Sequence, residues 1–452
     1  MDKILSNVVR VFNQAVLINY LHPWETGQRG FGTGTGFPIQ HQDKLIVVTN
    51  AHVVDQAQKI TVEHRDRTYN AKLAQFLPEV DLALLEVPDL KAEPLVLSNK
   101  PPKPGDPIRA YGYPAGMRNT SVHMGHFNRY TNTVYMDCAT GVCLQTDTAI
   151  NRGMSGGPAC NLDGEVVGVC VSGLTNYQNY NELIPVQLLQ WALAPEIRIG
   201  RWQFGYSVLE NDKMRQVLKV PEKYSGGVVV TSASKDSGLQ ETDVILHVEQ
   251  ESIIHGNLPV SSILQLSEST DDLAPMAYYP SLRAPGSKVK LTVCRRGKII
   301  EVVTKLASRI RPPHILPAPR EYYCLAGWVF SQAHPRVQEQ LRKAGHEDPI
   351  HGVYVLDEWP TEFTEAIPVR FETLQSVNGK SINSIQDLCE IIEPMYKAGK
   401  GQLILKFSNT VVVLDMAEVA EQQDQIMADH ASGARRYRFI KNGKSGPTVM
   451  SG

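Results

Sequence analysis

Short apolar runs at strand spacing dominate the first two hundred residues of the chain. KLIVVTN (44–50), KITVEH (59–64), DLALLEV (81–87), TVYMDC (133–138), VCLQTD (142–147) and EVVGVCV (165–171) are separated by clusters of Gly, Pro, Asn and Asp. Branched and aromatic residues suit a pleated, half-buried surface, and the intervening residues suit turns. Helical periodicity is weak until ELIPVQLLQWAL (182–193). The pattern over 1–197 therefore predicts a β-sandwich or barrel closed by one helix.

Further along, the pattern becomes mixed. The stretch 200–307 holds a candidate helix at 209–220, a strand at 226–233 and a closing pair of strands at 288–306 turning at Arg296-Gly297. SRIRPPHILPAPR (308–320), with four prolines, reads as an extended linker. The stretch 321–440 repeats the earlier order with AGWVF (326–330), a helical segment at 337–344, a strand at 351–358, a helix at 385–395, a closing pair at 402–415 and a helical extension at 417–431. Two copies of one α/β module are expected, followed by a flexible tail at 441–452.

At 452 residues, 42% hydrophobic and 20% charged, the chain has room for several globular domains and is neither coiled coil nor disordered as a whole. Lys+Arg 45 against Asp+Glu 47 leaves a net charge of -2, so no global field favours nucleic acid. The basic clusters Arg295-Arg296 and Arg435-Arg436-Tyr437-Arg438 read as a hairpin tip and a solvated tail. No apolar run approaches the roughly 20 residues of a membrane span. The N-terminal stretch is amphipathic rather than a signal peptide, and seven sparse cysteines fit a reducing compartment, so a cytoplasmic or similar location is expected. A local Cys138–Cys143 bridge across a turn stays open. A metal site from His123, His126, Cys138 and Cys143 is disfavoured, because residues three apart on a strand face opposite ways. The absence of a phosphate-binding Gly-x4-Gly-Lys-Ser/Thr loop argues against ATP use, and no cofactor is expected.

Chemistry concentrates at three places. Gly153-Met154-Ser155-Gly156-Gly157-Pro158 surrounds a serine with glycines, which lets the backbone turn sharply and aim the N–H groups of Gly153 and Ser155 at one point, as a tetrahedral oxyanion requires. His52 ends the strand-like VVTNAHVV, where an imidazole at a strand-to-turn junction suits a general base. Asp81 opens the apolar DLALLEV and can accept a hydrogen bond from His52 Nδ1–H. The order His, Asp, Ser is that of chymotrypsin-type double barrels, which supports the β reading from a separate direction.

TNAHVV, DLALLEV and QTDTAINRGMSGGP, together with the glycine-rich Gly32-Thr33-Gly34-Thr35-Gly36-Phe37, resemble the signature blocks of HtrA/Deg serine proteases, in layout closest to the plant-type Deg branch. Met154 departs from the family, where Asn is usual, as does Cys160. The resemblance implies a mainly β chain: a chymotrypsin-like double β-barrel at 1–197, a first PDZ-like α/β domain at 200–307, the linker at 308–320 and a second, divergent PDZ-like domain with a C-terminal helix at 321–440. It implies an ATP-independent serine endopeptidase acting on unfolded or damaged proteins. Ala149, Ile150, Val171 and Gly173 would form a specificity pocket for small or medium apolar side chains. Phe204-Gly205-Tyr206 and Gly327-Trp328-Val329 are the candidate carboxylate loops of the PDZ-like domains, which would take exposed C-termini or extended segments by strand addition. A homo-oligomer built from trimers is implied, with Phe12, Tyr20 and Trp24 as candidate contacts. The rival reading is a chaperone or binding protein with a latent protease site.

Overall fold

A computed structural model describes residues 3–17, 19–24, 28–136, 139–171, 180–194, 200–254, 256–264, 273–308, 321–333, 337–338, 341, 352–430 and 437–438. The expected linker beyond residue 308, most of the helical segment at 337–344 and the tail at 441–452 lie outside these residues. The chain divides into two compact units, one of residues 1–15 and 31–311, the other of 16–30 and 312–452.

In the first unit the short apolar runs close into two six-stranded barrels. The first contains β1 (Val9–Leu17), β2 (Gln28–His41), β3 (Lys44–Thr49), β4 (Ala57–His64), β5 (Arg67–Leu77) and β6 (Leu82–Glu86), in the order β1-β2-β3-β6-β5-β4. The second contains β7 (Pro107–Gly112), β8 (Ser121–Tyr135), β9 (Ala139–Thr146), β10 (Pro158–Cys160), β11 (Val166–Val171) and β12 (Asn181–Pro185), in the order β10-β11-β12-β9-β8-β7. Closure leaves neither barrel with an unpaired edge. Helix α1 (Val186–Ala192) follows β12 directly and buries Val186, Leu188, Leu189 and Ala192. Fully buried Phe37 and Leu82 in one barrel and Tyr111, Phe127 and Leu144 in the other belong to one continuous core.

Register explains where the site forms. β3 runs antiparallel to β6, with Val48 opposite Leu84 and Thr49 opposite Ala83. The end of β3 therefore meets the beginning of β6, and the residues just outside each strand, His52 and Asp81, are brought together although 29 positions apart.

The remainder of the first unit carries a five-strand path Phe204–Val208, Val228–Ala233, Val244–Val248, Lys288–Arg295 and Lys298–Lys305. Asn211 caps a short helix, Asp212–Val217, by accepting from the N–H groups of Lys213 and Met214. Arg295 is not simply a solvated hairpin tip. Its guanidinium donates to both carboxylate oxygens of Asp243 at 2.8 and 2.7 Å, and also to the Gly238 carbonyl at 2.9 Å.

In the second unit, the strands Val353–Glu358, Trp328–Gln332, Tyr322–Leu325 and Tyr437–Arg438 form one sheet. Part of the basic cluster expected to be a solvated tail is thus a short strand, Arg438 standing opposite Tyr322. The helix Ile385–Ala398 starts at a Ser384 capping box and stops at Gly399 in left-handed backbone. The helix Met416–His430 buries Val419, Gln423, Ile426 and Met427. Residues 16–30 belong to this unit. Tyr20, 3% exposed, joins Val337, Leu341, Tyr354 and Leu356, and Trp24 meets Trp359 edge to face at 5.2 Å. These two aromatics, expected to contact other copies, are committed within the chain.

Asp243, with its side chain only 2% exposed, depends on Arg295 for charge compensation. Arg295→Ala is expected to destabilise the fold by about 2–3 kcal/mol, because a buried carboxylate loses its bidentate partner. Arg296→Ala, at the exposed turn, should stay within about 0.5 kcal/mol of the parent. Paired thermal unfolding curves of the two variants check the difference.

Candidate active site

Four hydrogen bonds hold Asp81 against the segment of His52, two at its carboxylate and two at its carbonyl. His52 Nδ1 and Asp81 Oδ2 are 2.7 Å apart, and the His52 backbone N–H donates to Asp81 Oδ1 at 2.9 Å. The Asp81 carbonyl accepts from Ala51 N–H at 3.1 Å and from Asn50 Nδ2 at 3.0 Å. Asp81 adopts left-handed backbone, φ 50°, a conformation aspartate tolerates better than most residues. The aspartate side chain is 4% exposed and that of His52 36%, so the pair has a buried end and an open end. Burial disfavours the imidazolium, yet the Asp81 charge and hydrogen bond outweigh it, with help from Asp55, and the His52 pKa lies above its ordinary 6.5.

Ser155 sits between β9 and β10 and is 4% exposed. Its loop is docked on the first barrel. Thr35 N–H on β2 donates to the Ser155 carbonyl at 2.8 Å, and Gly156 N–H donates to Cys170 O on β11 at 2.9 Å. Gly156, at φ +86°, has no room for a side chain: a Cβ there would run into the Thr35 carbonyl on β2 and the hydroxyl of Thr49, which ends β3 three residues before His52. A Cβ on Gly34 would lie 2.6 Å from Val53, the neighbour of His52, and 3.1 Å from the Ser155 carbonyl oxygen. Glycine at both positions lets the nucleophile loop lie against the segment that carries the imidazole.

Gly153, at φ +94°, turns the chain ahead of the serine. The peptide entering it is oriented by Ala115 N–H, which donates to Arg152 O at 2.6 Å, and the peptide entering Ser155 by Gly157 N–H, which donates to Met154 O at 3.0 Å. A trans peptide points its N–H away from its carbonyl, so the Gly153 and Ser155 N–H groups are directed away from those partners. Met154 between them is fully buried and packs on Gly112 of β7. Its side chain is therefore a wedge under the loop, a role its position in the motif did not reveal.

Of the expected pocket residues, Ile150 is 6% exposed, Val171 is half-buried at the end of β11, and Ala149 is exposed with its carbonyl 2.6 Å from His123 Nδ1. Gly173 lies outside the described residues, as does Cys138. Cys143 is a free, buried thiol bonded to Glu182. That glutamate, opposite Val171 on β12, also reaches Thr133 and Tyr180, and burial raises its pKa. Nothing in its surrounding text marks it as a buried acid. Among the described residues no group of three His, Cys, Asp or Glu side chains could hold a metal ion, and no described helix is long and apolar enough to cross a membrane.

The two expected carboxylate loops differ. Phe204 and Tyr206 lie on the terminal strand of their sheet, Phe204 8% exposed, Gly205 and Tyr206 half-buried, and burial pushes the Tyr206 hydroxyl up to about 12. Gly327, in contrast, is half of a tight hairpin turn with Ala326, both at positive φ. Trp359 N–H donates to the Gly327 carbonyl at 2.9 Å, Thr361 Oγ1 to the Ala326 carbonyl at 3.0 Å, and Gln423 Oε1 accepts from Ala326 N–H at 2.8 Å. Trp328 and Val329 are fully buried. The candidate carboxylate loop is thus a hairpin turn bonded to residues of its own unit.

Residues 34–169 match the family model of the trypsin-like peptidase domain. The chain is 31% identical over 360 residues to protease Do-like 2, chloroplastic, of Arabidopsis thaliana, covering 74% of this chain and 57% of that protein. It is 34% identical over 394 residues to a DegP-like periplasmic serine endoprotease of Marinomonas sp. (strain MWYL1), covering 82% of this chain and 75% of that one. Among solved structures, the HtrA-type protease AlgW with a tripeptide shares the fold, with a TM-score of 0.53 at 21% identity over 69% of this chain and 96% of that one. These relatives, named as chloroplastic and periplasmic, overturn the expectation of a cytoplasmic or other reducing compartment. Cysteine count was a poor guide to it, because buried free thiols serve as small apolar residues in any compartment. With a double barrel, a histidine–aspartate pair beside a glycine-flanked serine, and this degree of likeness, the chain belongs to the HtrA/Deg family of serine endoproteases, hydrolases of peptide bonds.

Proposed function

We propose that Ser155 attacks the scissile carbonyl while His52 takes its proton, Asp81 holds the imidazole in the required tautomer, and the N–H groups of Gly153 and Ser155 receive the developing oxyanion. The observation that carries this assignment is the 2.7 Å contact between His52 Nδ1 and Asp81 Oδ2. It leaves Nε2 as the ring nitrogen available to the serine. The acyl-enzyme formed in the first half is then hydrolysed by water, activated by the same imidazole.

On this reading the domain layout is that of the sequence: protease 1–197 and PDZ-like domains at 200–307 and 321–440. Substrates are unfolded polypeptides or exposed C-termini, held by strand addition on Phe204–Val208. The support is that this strand ends its sheet, with Ser207 and Val208 exposed. Assembly into trimers is part of the same reading, and Phe31, 79% exposed on β2, is an aromatic that a second copy would cover.

Ser155→Ala is expected to abolish cleavage of unfolded casein, and Asp81→Asn to lower kcat by about 10⁴-fold. If Ser155→Ala cleaves as the parent does, the nucleophile is elsewhere; if parent and variant are both inert yet both suppress aggregation, the binding-protein reading replaces this one. The general base works only when neutral, so kcat/KM should fall as pH drops through the raised His52 pKa, with an acid-limb midpoint above 6.5. A midpoint below 6.5 would mean that Asp81 does not stabilise the imidazolium in the free enzyme. With Ala149, Ile150 and Val171 near the acyl side, a peptide library should be cut after small or medium apolar residues; dominant cleavage after Lys or Arg overturns that pocket.

A further inference from the structure

Thr35 is completely buried, yet every one of its polar atoms is directed at catalytic backbone or at what supports it. Its N–H donates to the Ser155 carbonyl at 2.8 Å, and its hydroxyl donates to the Gly153 carbonyl at 2.7 Å. The same hydroxyl accepts from Tyr113 N–H at 3.0 Å, and the Thr35 carbonyl accepts from the Thr49 hydroxyl at 2.7 Å. One residue of the first barrel thus holds the carbonyls on both sides of Met154.

Those two carbonyls belong to the peptides that leave Gly153 and Ser155. The peptides that enter the same residues are held by Ala115 and Gly157. Each donor of the proposed oxyanion site therefore lies between two pinned peptide planes, and with both planes fixed its φ and ψ are fixed. Without the Thr35 hydroxyl, the peptide leaving Gly153 keeps only the Met154 N–H bond to the Asn151 carbonyl at 3.0 Å, a contact inside the loop itself, and loses its tie to the first barrel. At φ +94° a glycine has wide conformational freedom, and a loop tied only to itself can turn the Gly153 N–H further from its place than one clamped from β2. Thr33, two residues earlier in the same glycine-rich run, has no such bonds to the loop; its hydroxyl faces Gly116 instead.

We propose that Thr35 is a positioning residue that sets the oxyanion site from the opposite barrel by clamping the carbonyls of Gly153 and Ser155. The proposal rests on the assignment of Ser155 and Gly153 above and adds the residue on which their geometry depends. It requires the hydroxyl in particular, because the N–H to Ser155 survives any substitution except proline.

The test compares Thr35→Val, Thr35→Ala and Thr35→Ser in the full chain, with active sites counted by a fluorophosphonate that labels Ser155 so that rates refer to folded protein. Valine keeps the volume and removes the hydroxyl; alanine removes both with less crowding; serine keeps the hydroxyl. Expected are a loss in kcat of about a hundredfold for Val and Ala with KM within about threefold, and recovery to within about fivefold for Ser, by analogy with loss of one oxyanion donor. A peptide aldehyde, whose adduct places an oxyanion in the site, should lose affinity by the same factor as kcat, while the product peptide, which forms no adduct, should bind unchanged. Thr35→Val with parental kcat, or aldehyde and product affinities falling together, overturns the proposal. Ser155→Ala separates the two levels: a cleaving Ser155→Ala overturns the nucleophile assignment itself, whereas an inert Ser155→Ala beside a fully active Thr35→Val overturns the Thr35 clamp alone.

Discussion

The site exists because a strand of one barrel hydrogen-bonds to a loop of the other. His52 and Asp81 stand at the end of β3 and the start of β6, whereas Ser155 is carried between β9 and β10. Nothing covalent and local sets the distance between these groups. What sets it is the seam of short bonds from Thr35 to Ser155 and Gly153, and from Tyr113 back to Thr35, together with glycines that let the backbones approach. Barrel closure makes the seam stiff: closed sheets have no free edge to slide, and a one-residue slip would turn every buried side chain outward.

The seam also settles the electrostatics. Asp81 is almost fully buried, an arrangement that is tolerable only because four hydrogen bonds satisfy its carboxylate and carbonyl. Its partner keeps one side open, so an imidazolium there is stabilised from within while the ring stays reachable from outside. Glu182 takes the other solution. Burial pushes it toward the neutral form, against the pull of its bonds to the uncharged Thr133, Cys143 and Tyr180.

Legibility followed the physical range of each constraint. The pairing of His52 with Asp81 and the tight turn at Ser155 could be read because their neighbours are short-range necessities: apolar strand residues beside the acid, glycines around the serine. The barrels could be read because period-two patterning survives in the text. Thr35 could not be separated from Thr33, since both sit between glycines and only the register of β2 against the nucleophile loop distinguishes them. Met154 stands out in the sequence only as a departure from the family's Asn, yet its side chain fills the space left by Gly112. Gly327 between apolar residues reads equally as a ligand loop or a hairpin, and the deciding residues, Trp359, Thr361 and Gln423, lie far along the chain. The same holds for Tyr20 and Trp24, whose packing partners begin three hundred residues later.

Two stretches with the same order of elements have consequently diverged in what they do with backbone polarity. A buried N–H or carbonyl must find a partner, so each unit can be audited at its sheet edges and turns. In the first unit, the strand Phe204–Val208 pairs with Val228–Ala233 on one side and, among the described residues, ends the sheet on the other. In the second, the corresponding strand Trp328–Gln332 is paired on both sides, by Tyr322–Leu325 and by Val353–Glu358, and the turn leading into it is capped by side chains of its own unit. Even the next edge outward is partly taken, by Tyr437–Arg438. Strand addition needs unpaired backbone, and sequence similarity between the two stretches cannot create it where hydrogen bonds are already spent. The aromatic core of the second unit, enclosing Tyr20 and Trp24, follows the same logic: its hydrophobic surface is satisfied from within the chain. A free side of the kind proposed above for Phe204–Val208 is thus missing at Trp328–Gln332.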